Sequence, residues 1–279
     1  MKISSSIIYV ARNHGHHAKY SGYDQLMKYS SDTNQKVHSS SLPKFPYRLS
    51  KLLSQKMGPK LYNSESFRKE LTALWLHLIG KGAFIHYLYG DRDFSLLGAF
   101  PTTRSILSAT FHKPPSLLWD RFKNSRSIEH LNFAVAVSNN QVEILYELKA
   151  KDVIFIPHGI DINFWCPMPV EVDCMKALSV GVHMRDFEKQ VSYAEMIKER
   201  FPDFILEIVV PKPYVSKIPQ SHAVKIFSNL TDEELRLKYS SSAFQLLALK
   251  DCTANNAILE GLACGLPAIV TNIGGVKDY

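Results

Sequence analysis

The chain has 279 residues, 46% of them hydrophobic and 21% charged, with a formal net charge of +7. This composition excludes wholesale disorder and suits one large domain or two ordinary ones. The four cysteines (Cys166, Cys174, Cys252, Cys264) form no C-x-x-C pair, so neither a disulfide framework nor a common zinc pattern fits.

Charge is unevenly placed. Residues 1–150 carry 20 Lys+Arg against 10 Asp+Glu, whereas residues 151–279 carry 13 against 16. Such asymmetry predicts two domains with different partners. No apolar run reaches the ~20 residues of a spanning helix. The longest, Leu71–Phe84, is broken by His77 and Lys81. Lys2 is followed by three serines, and Ile7–Ala11 runs into Arg12, which is not a signal-peptide pattern. The expected location is cytoplasmic.

In chain order, Ile7–Val10 reads as a buried strand, followed by a polar loop from Arg12 to Gly22 and a helix from Tyr23. Residues 33–64 contain Lys36, Lys44, Arg48, Lys51, Lys56 and Lys60 and no acid, with Phe45, Tyr47, Leu49, Leu52 and Leu53 interleaved. Two readings stand: a basic amphipathic element on the anionic inner face of a membrane, or a solvated face with an apolar underside. No nucleic-acid recognition motif accompanies this charge. Further strands are expected at Phe84–Tyr89, Ile106–Phe111, Phe133–Val137 and Val153–Ile156, and Ser138-x-x-Gln141 forms a capping box.

Residues 158–175 hold Pro167 and Pro169, show no period and read as a linker. The alternation then resumes. Strands are expected at Ala177–Gly181, Phe204–Val210, Ala223–Phe227, Phe244–Leu249 and Ala268–Thr271, and helices at Lys189–Phe201, Asp232–Ser241 and Ala254–Ala263. Thr231-x-x-Glu234 is a second capping box. Strands alternating with helices predict an α/β chain of two Rossmann-like, doubly wound domains, residues 1–157 and 176–279, facing a cleft.

The segment richest in chemistry is 251–275. A polar turn, Asp251-Cys252-Thr253-Ala254-Asn255-Asn256, opens a helix whose N-terminus attracts phosphate and hydroxyl-rich ligands. Glu260 lies inside that otherwise apolar helix, where a carboxylate can accept two hydrogen bonds from a vicinal diol; a surface helix glutamate is the plainer reading. The segment resembles the donor site of family 4 glycosyltransferases, which have the GT-B fold. Their pattern is Glu-x7-Glu, then Ala-x-Ala-x-Gly-x-Pro and a Gly-Gly turn. Glu260, Gly265, Pro267, Gly274 and Gly275 fall at matching places. Cys252 occupies the position of the first glutamate, with Asp251 beside it. Ile156-Pro157-His158-Gly159-Ile160-Asp161, followed by Phe164 and Pro167, resembles the family's interdomain turn, with His158 replacing its usual Asn.

The resemblance implies a metal-independent, retaining transfer of a sugar from a nucleoside diphosphate sugar to a hydroxyl acceptor, glycan or lipid-linked, with no cofactor. Arg185 and Lys189, after the first strand of the second half, would hold the diphosphate. Glu260 would hold the ribose, and Asp251, Cys252, Thr253, Asn255 and Asn256 the donor sugar. Gly22 would stand in the turn that approaches the donor. His112, at a strand end, would contact the reacting region, a partly buried structural histidine being the alternative. Against the family's length the second domain is short, stopping at Tyr279, which implies an incomplete donor domain. That shortness and Cys252 leave a second reading, a truncated, non-catalytic nucleotide-sugar-binding protein. A GT-B epimerase or phosphorylase fits the interdomain turn less well.

Two metal-like signals are set aside. Asp91-Arg92-Asp93 imitates the D-x-D motif of metal-dependent GT-A enzymes but reads as two loop acids in this context. His14, His16 and His17 lack a distant carboxylate or cysteine partner in the sequence pattern. No spaced G-x-G-x-x-G points to a dinucleotide dehydrogenase.

Overall fold

Short runs of β-branched and aromatic residues, separated by helix-length stretches, are satisfied by parallel strands whose two faces are both covered. The computed structural model shows two such sheets. It describes residues 7–11, 20, 22–29, 35–37, 46–57, 62–79, 84–99 and 105–279. The chain divides into two units, Met1–His16 with Tyr23–His158, and His17–Gly22 with Gly159–Tyr279.

Among the described residues the first unit has strands β1 (Ile7–Val10), β2 (Gln35–Val37), β3 (Phe84–Tyr87), β4 (Ile106–Phe111), β5 (Phe133–Ala136) and β6 (Val153–Phe155). Their spatial order is β2-β1-β3-β4-β5-β6, and every neighbouring pair is parallel. Its helices are α1 (Tyr47–Met57), α2 (Ser64–Ile79), α3 (Gly90–Asp93), α4 (Pro115–Phe122) and α5 (Val142–Glu147). The core joins Val10, Ile85, Leu107 and Ala136 of the strands to Leu118 and Phe122 of α4. The helix expected from Tyr23 is a tighter 3-10 helix, Tyr23–Tyr29. β2 lies outside the strands expected from the sequence: three residues with a lysine in the middle carry no apolar run, and they are placed by pairing with β1.

Asp91 and Asp93 are not loop acids. Both are buried in the short helix α3. Asp93 accepts from Ser66 Oγ (2.8 Å) and pairs with the fully buried Lys69 (3.2 Å). Glu70, also buried, accepts from the Tyr62 hydroxyl and from the backbone N–H groups of Ser95 (3.0 Å), Leu96 (2.6 Å) and Leu97 (3.1 Å). Buried carboxylates survive only when so satisfied.

The second unit has strands β7 (Asp173–Val180), β8 (Ile205–Val209), β9 (Val224–Phe227), β10 (Ser242–Leu247) and β11 (Ala268–Val270), ordered β11-β10-β7-β8-β9 and all parallel. Helices α6 (Phe187–Arg200), α7 (Asp232–Ser241) and α8 (Asn256–Ala263) follow β7, β9 and β10. Thr231 and Glu234 form the expected capping box, with Glu234 N donating to Thr231 Oγ1 (3.2 Å) and Thr231 N to Glu234 Oε2 (2.7 Å).

The stretch read as a linker is packed against this unit. Trp165 is 1% exposed and joins Leu178, Tyr239 and Leu266 in one apolar cluster. Its indole N–H donates to the Tyr20 carbonyl (3.2 Å), and the Tyr20 ring stacks on Phe164 at 3.8 Å. Burying one tryptophan outweighs the turn-forming tendency of the prolines around it. No helix among the described residues is long and apolar enough to cross a membrane.

Candidate functional site

Parallel sheets offer ligands the loops beyond the carboxyl ends of their strands. In the second unit those loops follow β7, β10 and β11, and they are laced together. The chain leaves β7 through Gly181 (φ +89°), and the guanidinium of Arg185 folds back over it. Arg185 donates to the Val180 carbonyl through Nε (3.2 Å) and Nη2 (2.7 Å), and to the His183 carbonyl through Nη1 (3.3 Å). Nη2 also reaches Asn255 Oδ1 (3.3 Å), at the head of α8.

Arg185 is 8% exposed, and burial pulls it down to about 10, so it stays charged at neutral pH. No carboxylate pairs with it among the described residues; the groups acting on its charge are Cys252 and Tyr239. A buried cation without an acid, set against a helix N-terminus, is a field that favours an anion.

The loop after β10 is held by its own side chains. Asp251 Oδ1 accepts from Cys252 N (2.7 Å), and Cys252 Sγ lies 2.8 Å from the Thr253 carbonyl. Gly275 N donates to the Cys252 carbonyl (2.8 Å), which ties the loop after β11 to it. Cys252 and Thr253 are buried, and burial pushes the Cys252 thiol up, keeping it protonated. Asn256 Oδ1 is a buried acceptor without a protein partner.

Glu260 is 4% exposed, so it is not a surface helix residue; its Oε2 accepts from the Tyr239 hydroxyl (3.0 Å). Burial first, then Glu260, push the Tyr239 hydroxyl well up. Lys189 differs: its side chain is 68% exposed, and its ammonium is 4.0 Å from Asp186 Oδ2, in the first turn of α6. The structure therefore brings Arg185, Asn255, Asp251, Cys252 and Thr253 together, sets Asn256 beside them and Glu260 further along the same helix, and leaves Lys189 in solvent. Tyr239 is the residue that the sequence reading missed. Its position at the end of a charged helix resembles any surface tyrosine, and only its burial marks it.

In the first unit His112 follows β4 directly. Asp91 accepts from its backbone N–H through both oxygens (3.1 and 3.0 Å) and from Lys113 N (3.2 Å). The imidazole Nε2 is 2.7 Å from the Leu88 carbonyl, so that nitrogen carries the proton. The Tyr23 ring stacks on His112 at 3.5 Å, and Tyr89 and His158 stand around Tyr23 at 5.5 and 4.5 Å. Gly22, with φ +99°, supplies the left-handed turn just before Tyr23, and is counted with the second unit. His14, His16 and His17 lie outside the described residues. Among the described residues no three His, Cys, Asp or Glu side chains cluster to hold a metal.

No protein-family model and no curated protein sequence matches the chain. Solved structures do. The sucrose-phosphate synthase of Thermosynechococcus elongatus superposes with a TM-score of 0.61 at 14% identity, over 98% of this chain and 82% of that one. The lipopolysaccharide outer core galactosyltransferase WaaB, in its apo form, gives 0.55 at 10% identity, again over 98% and 82%. TarM gives 0.59 at 10% identity over 76% of this chain, and the match spans 45% of TarM, about half its length. At these identities the likeness establishes architecture alone. Two parallel α/β units matched to such enzymes give the chain the GT-B fold.

Proposed function

We propose that the chain transfers a sugar from a nucleoside diphosphate sugar to a hydroxyl acceptor, retaining anomeric configuration and needing no metal. One observation carries this reading: a buried, acid-free Arg185 fixed against the head of α8. A nucleoside diphosphate develops negative charge as the glycosidic bond breaks, and a preorganised cation in a dry loop stabilises that charge most. Asn256 Oδ1, buried and unpaired, supplies an acceptor for a sugar hydroxyl. Glu260 takes the ribose diol, oriented by Tyr239. Asp251 to Asn256 line the sugar, and His112 is the proposed contact to the reacting region. Lys189, exposed at the start of α6, adds charge to the diphosphate. The structural neighbours named for sugar transfer, a sucrose-phosphate synthase and a galactosyltransferase, support the same class.

The second reading, a binder without activity, rests on Cys252. A buried protonated thiol stands where the family resemblance implies a carboxylate. Both readings need the nucleotide site. Thermal unfolding with UDP, GDP, ADP and their glucose, mannose and N-acetylglucosamine forms is expected to show stabilisation by one base. Ligand at ~100 times its dissociation constant adds about 2.7 kcal/mol. Glu260→Ala should abolish the response, and unchanged affinity would refute the donor-site assignment. Sugar release from the bound donor, unchanged by a chelator, then separates the enzyme from the binder.

A further inference from the structure

Helix α1 is built inside out. Ser50 and Ser54 are 0% and 2% exposed, and each turns its hydroxyl onto its own helix: Ser50 Oγ donates to the Tyr47 carbonyl (2.8 Å) and Ser54 Oγ to the Lys51 carbonyl (2.9 Å). Tyr47, Leu49 and Leu52 point away from the protein and are 64%, 44% and 51% exposed. A helix on a globular surface does the reverse, burying its leucines and hydrating its serines. Of the two readings of residues 33–64, the apolar underside is not what α1 shows, because Tyr47, Leu49 and Leu52 turn outward.

Charge accompanies the exposed leucines. Arg48, Lys51 and Lys56 are exposed on the same helix. No acidic residue occurs anywhere in residues 33–64. None of the three cations pairs with a carboxylate among the described residues. The helix α2, on which α1 packs, adds Trp75 at 59% and Leu78 at 58% exposure.

We propose that this face docks on an anionic lipid bilayer, with Leu49 and Leu52 reaching the acyl boundary and Arg48, Lys51 and Lys56 beside the headgroup phosphates. Apolar and cationic side chains interleaved on one face are the pattern that a bilayer interface satisfies in full, because it offers hydrocarbon and negative charge at neighbouring depths. Lysines and arginine hold their stems flat on the apolar layer while their charges stay in the headgroup region. A second copy of the chain is a poor occupant, since it would set two acid-free basic helices against each other. The proposal is independent of the sugar-transfer reading, because vesicle binding needs no donor.

The test uses the full chain and two vesicle populations, phosphatidylcholine alone and an equal mixture with phosphatidylglycerol. Cosedimentation is expected with the mixed vesicles only, and it should weaken as salt is raised. In a Trp119→Phe background the emission of Trp75 should shift to the blue on binding, since Trp165 is already buried. Leu49→Ser with Leu52→Ser, and separately Lys51→Glu with Lys56→Glu, should each lower vesicle partitioning by about tenfold or more. The thermal midpoint should hold for both variants, because these side chains face outward. Equal binding to both vesicle types, undiminished binding by both variants, or a dimer in solution that the same variants dissolve would each overturn the proposal.

Discussion

Gly274 shows how closely the donor loops are fitted. Its φ is +55°, and a Cβ there would stand 2.2 Å from the Cys252 carbonyl oxygen and 2.9 Å from Asp251 Oδ1. Gly274→Ala must therefore push the two loops apart. A loss of ~1–3 kcal/mol is expected, with loss of any nucleotide-induced stabilisation. Gly159 is the control, since a Cβ there meets nothing within 4 Å, and Gly159→Ala should leave both quantities unchanged. Urea titration with and without nucleotide reads both.

Two buried groups of the first unit make opposite demands on pH. Burial pulls His86 from 6.5 down to about 4, while its ring nitrogens meet Ser108 Oγ at 2.7 Å and Thr110 Oγ1 at 3.0 Å. The unfolded imidazole takes its proton first, so this stability is full above ~6.5 and lost as pH falls toward 4. Burial pushes Glu70 from 4.5 up to about 7, against the pull of its hydrogen bonds. Here the unfolded carboxyl ionises first, so stability is full below ~4.5 and lost as pH rises toward 7. Each slope is worth on the order of 3 kcal/mol, and in the shared window they largely cancel. His86→Gln should unmask a stability that falls from pH 4.5 to 7, and Glu70→Gln one that rises. Parallel pH profiles for the two variants and the parent chain would refute the assignment.

Among elements, the turn after β5 joins sequence signal to function. Ser138-x-x-Gln141 was legible as a capping box, and Gln141 Oε1 does accept from Ser138 N (3.1 Å) as well as Val137 N (2.8 Å). Its Nε2 also donates to the carbonyls of Phe111 and Lys113 (both 2.9 Å), on either side of His112. One fully buried amide thus pins the ends of β4 and β5 together. Gln141→Leu would remove all four of these bonds, a loss of several kcal/mol at ~1–3 each. Gln141→Glu would set a carboxylate oxygen against the same two carbonyls, so it too should destabilise in the same unfolding measurement, and more so as pH rises. The sequence showed the cap because capping is local in the chain. It could not show the second pair of bonds, which span about 30 residues. The same limit explains the other differences. Core strands such as Ile106–Phe111 and the helix Asp232–Ser241 announce themselves through local pattern and caps. The three-residue β2, the buried Asp91 and Asp93, the packed Trp165 and the inverted α1 depend on distant partners. At the candidate site, Glu260 and the Gly274-Gly275 turn stand out through the family resemblance, whereas Tyr239 becomes visible only through its burial.

At the scale of the whole molecule, each unit has a core of its own, one around Leu107, Phe111 and Phe122, the other around Leu206, Ile208 and Val210. Their stabilities are separable where ligand and pH act on different cores. The proposed nucleotide contacts Arg185, Asn256 and Glu260 belong to the second unit, as does Trp165, whereas His86 and Glu70 belong to the first. The three tryptophans make this measurable. Trp165 is buried, while Trp75 and Trp119 are 59% and 42% exposed in the first unit. A Trp75→Phe, Trp119→Phe chain therefore reports the second unit alone, and far-UV dichroism reports both. Nucleoside diphosphate should raise the Trp165 midpoint and leave the dichroism of the first unit's transition in place. Lowering pH from 6.5 to 4.5 in a Glu70→Gln background should move that first transition and spare Trp165. If nucleotide instead shifts both signals together by the same amount, the two cores unfold as one cooperative body, and binding in the second unit stabilises His86 and Glu70 as well.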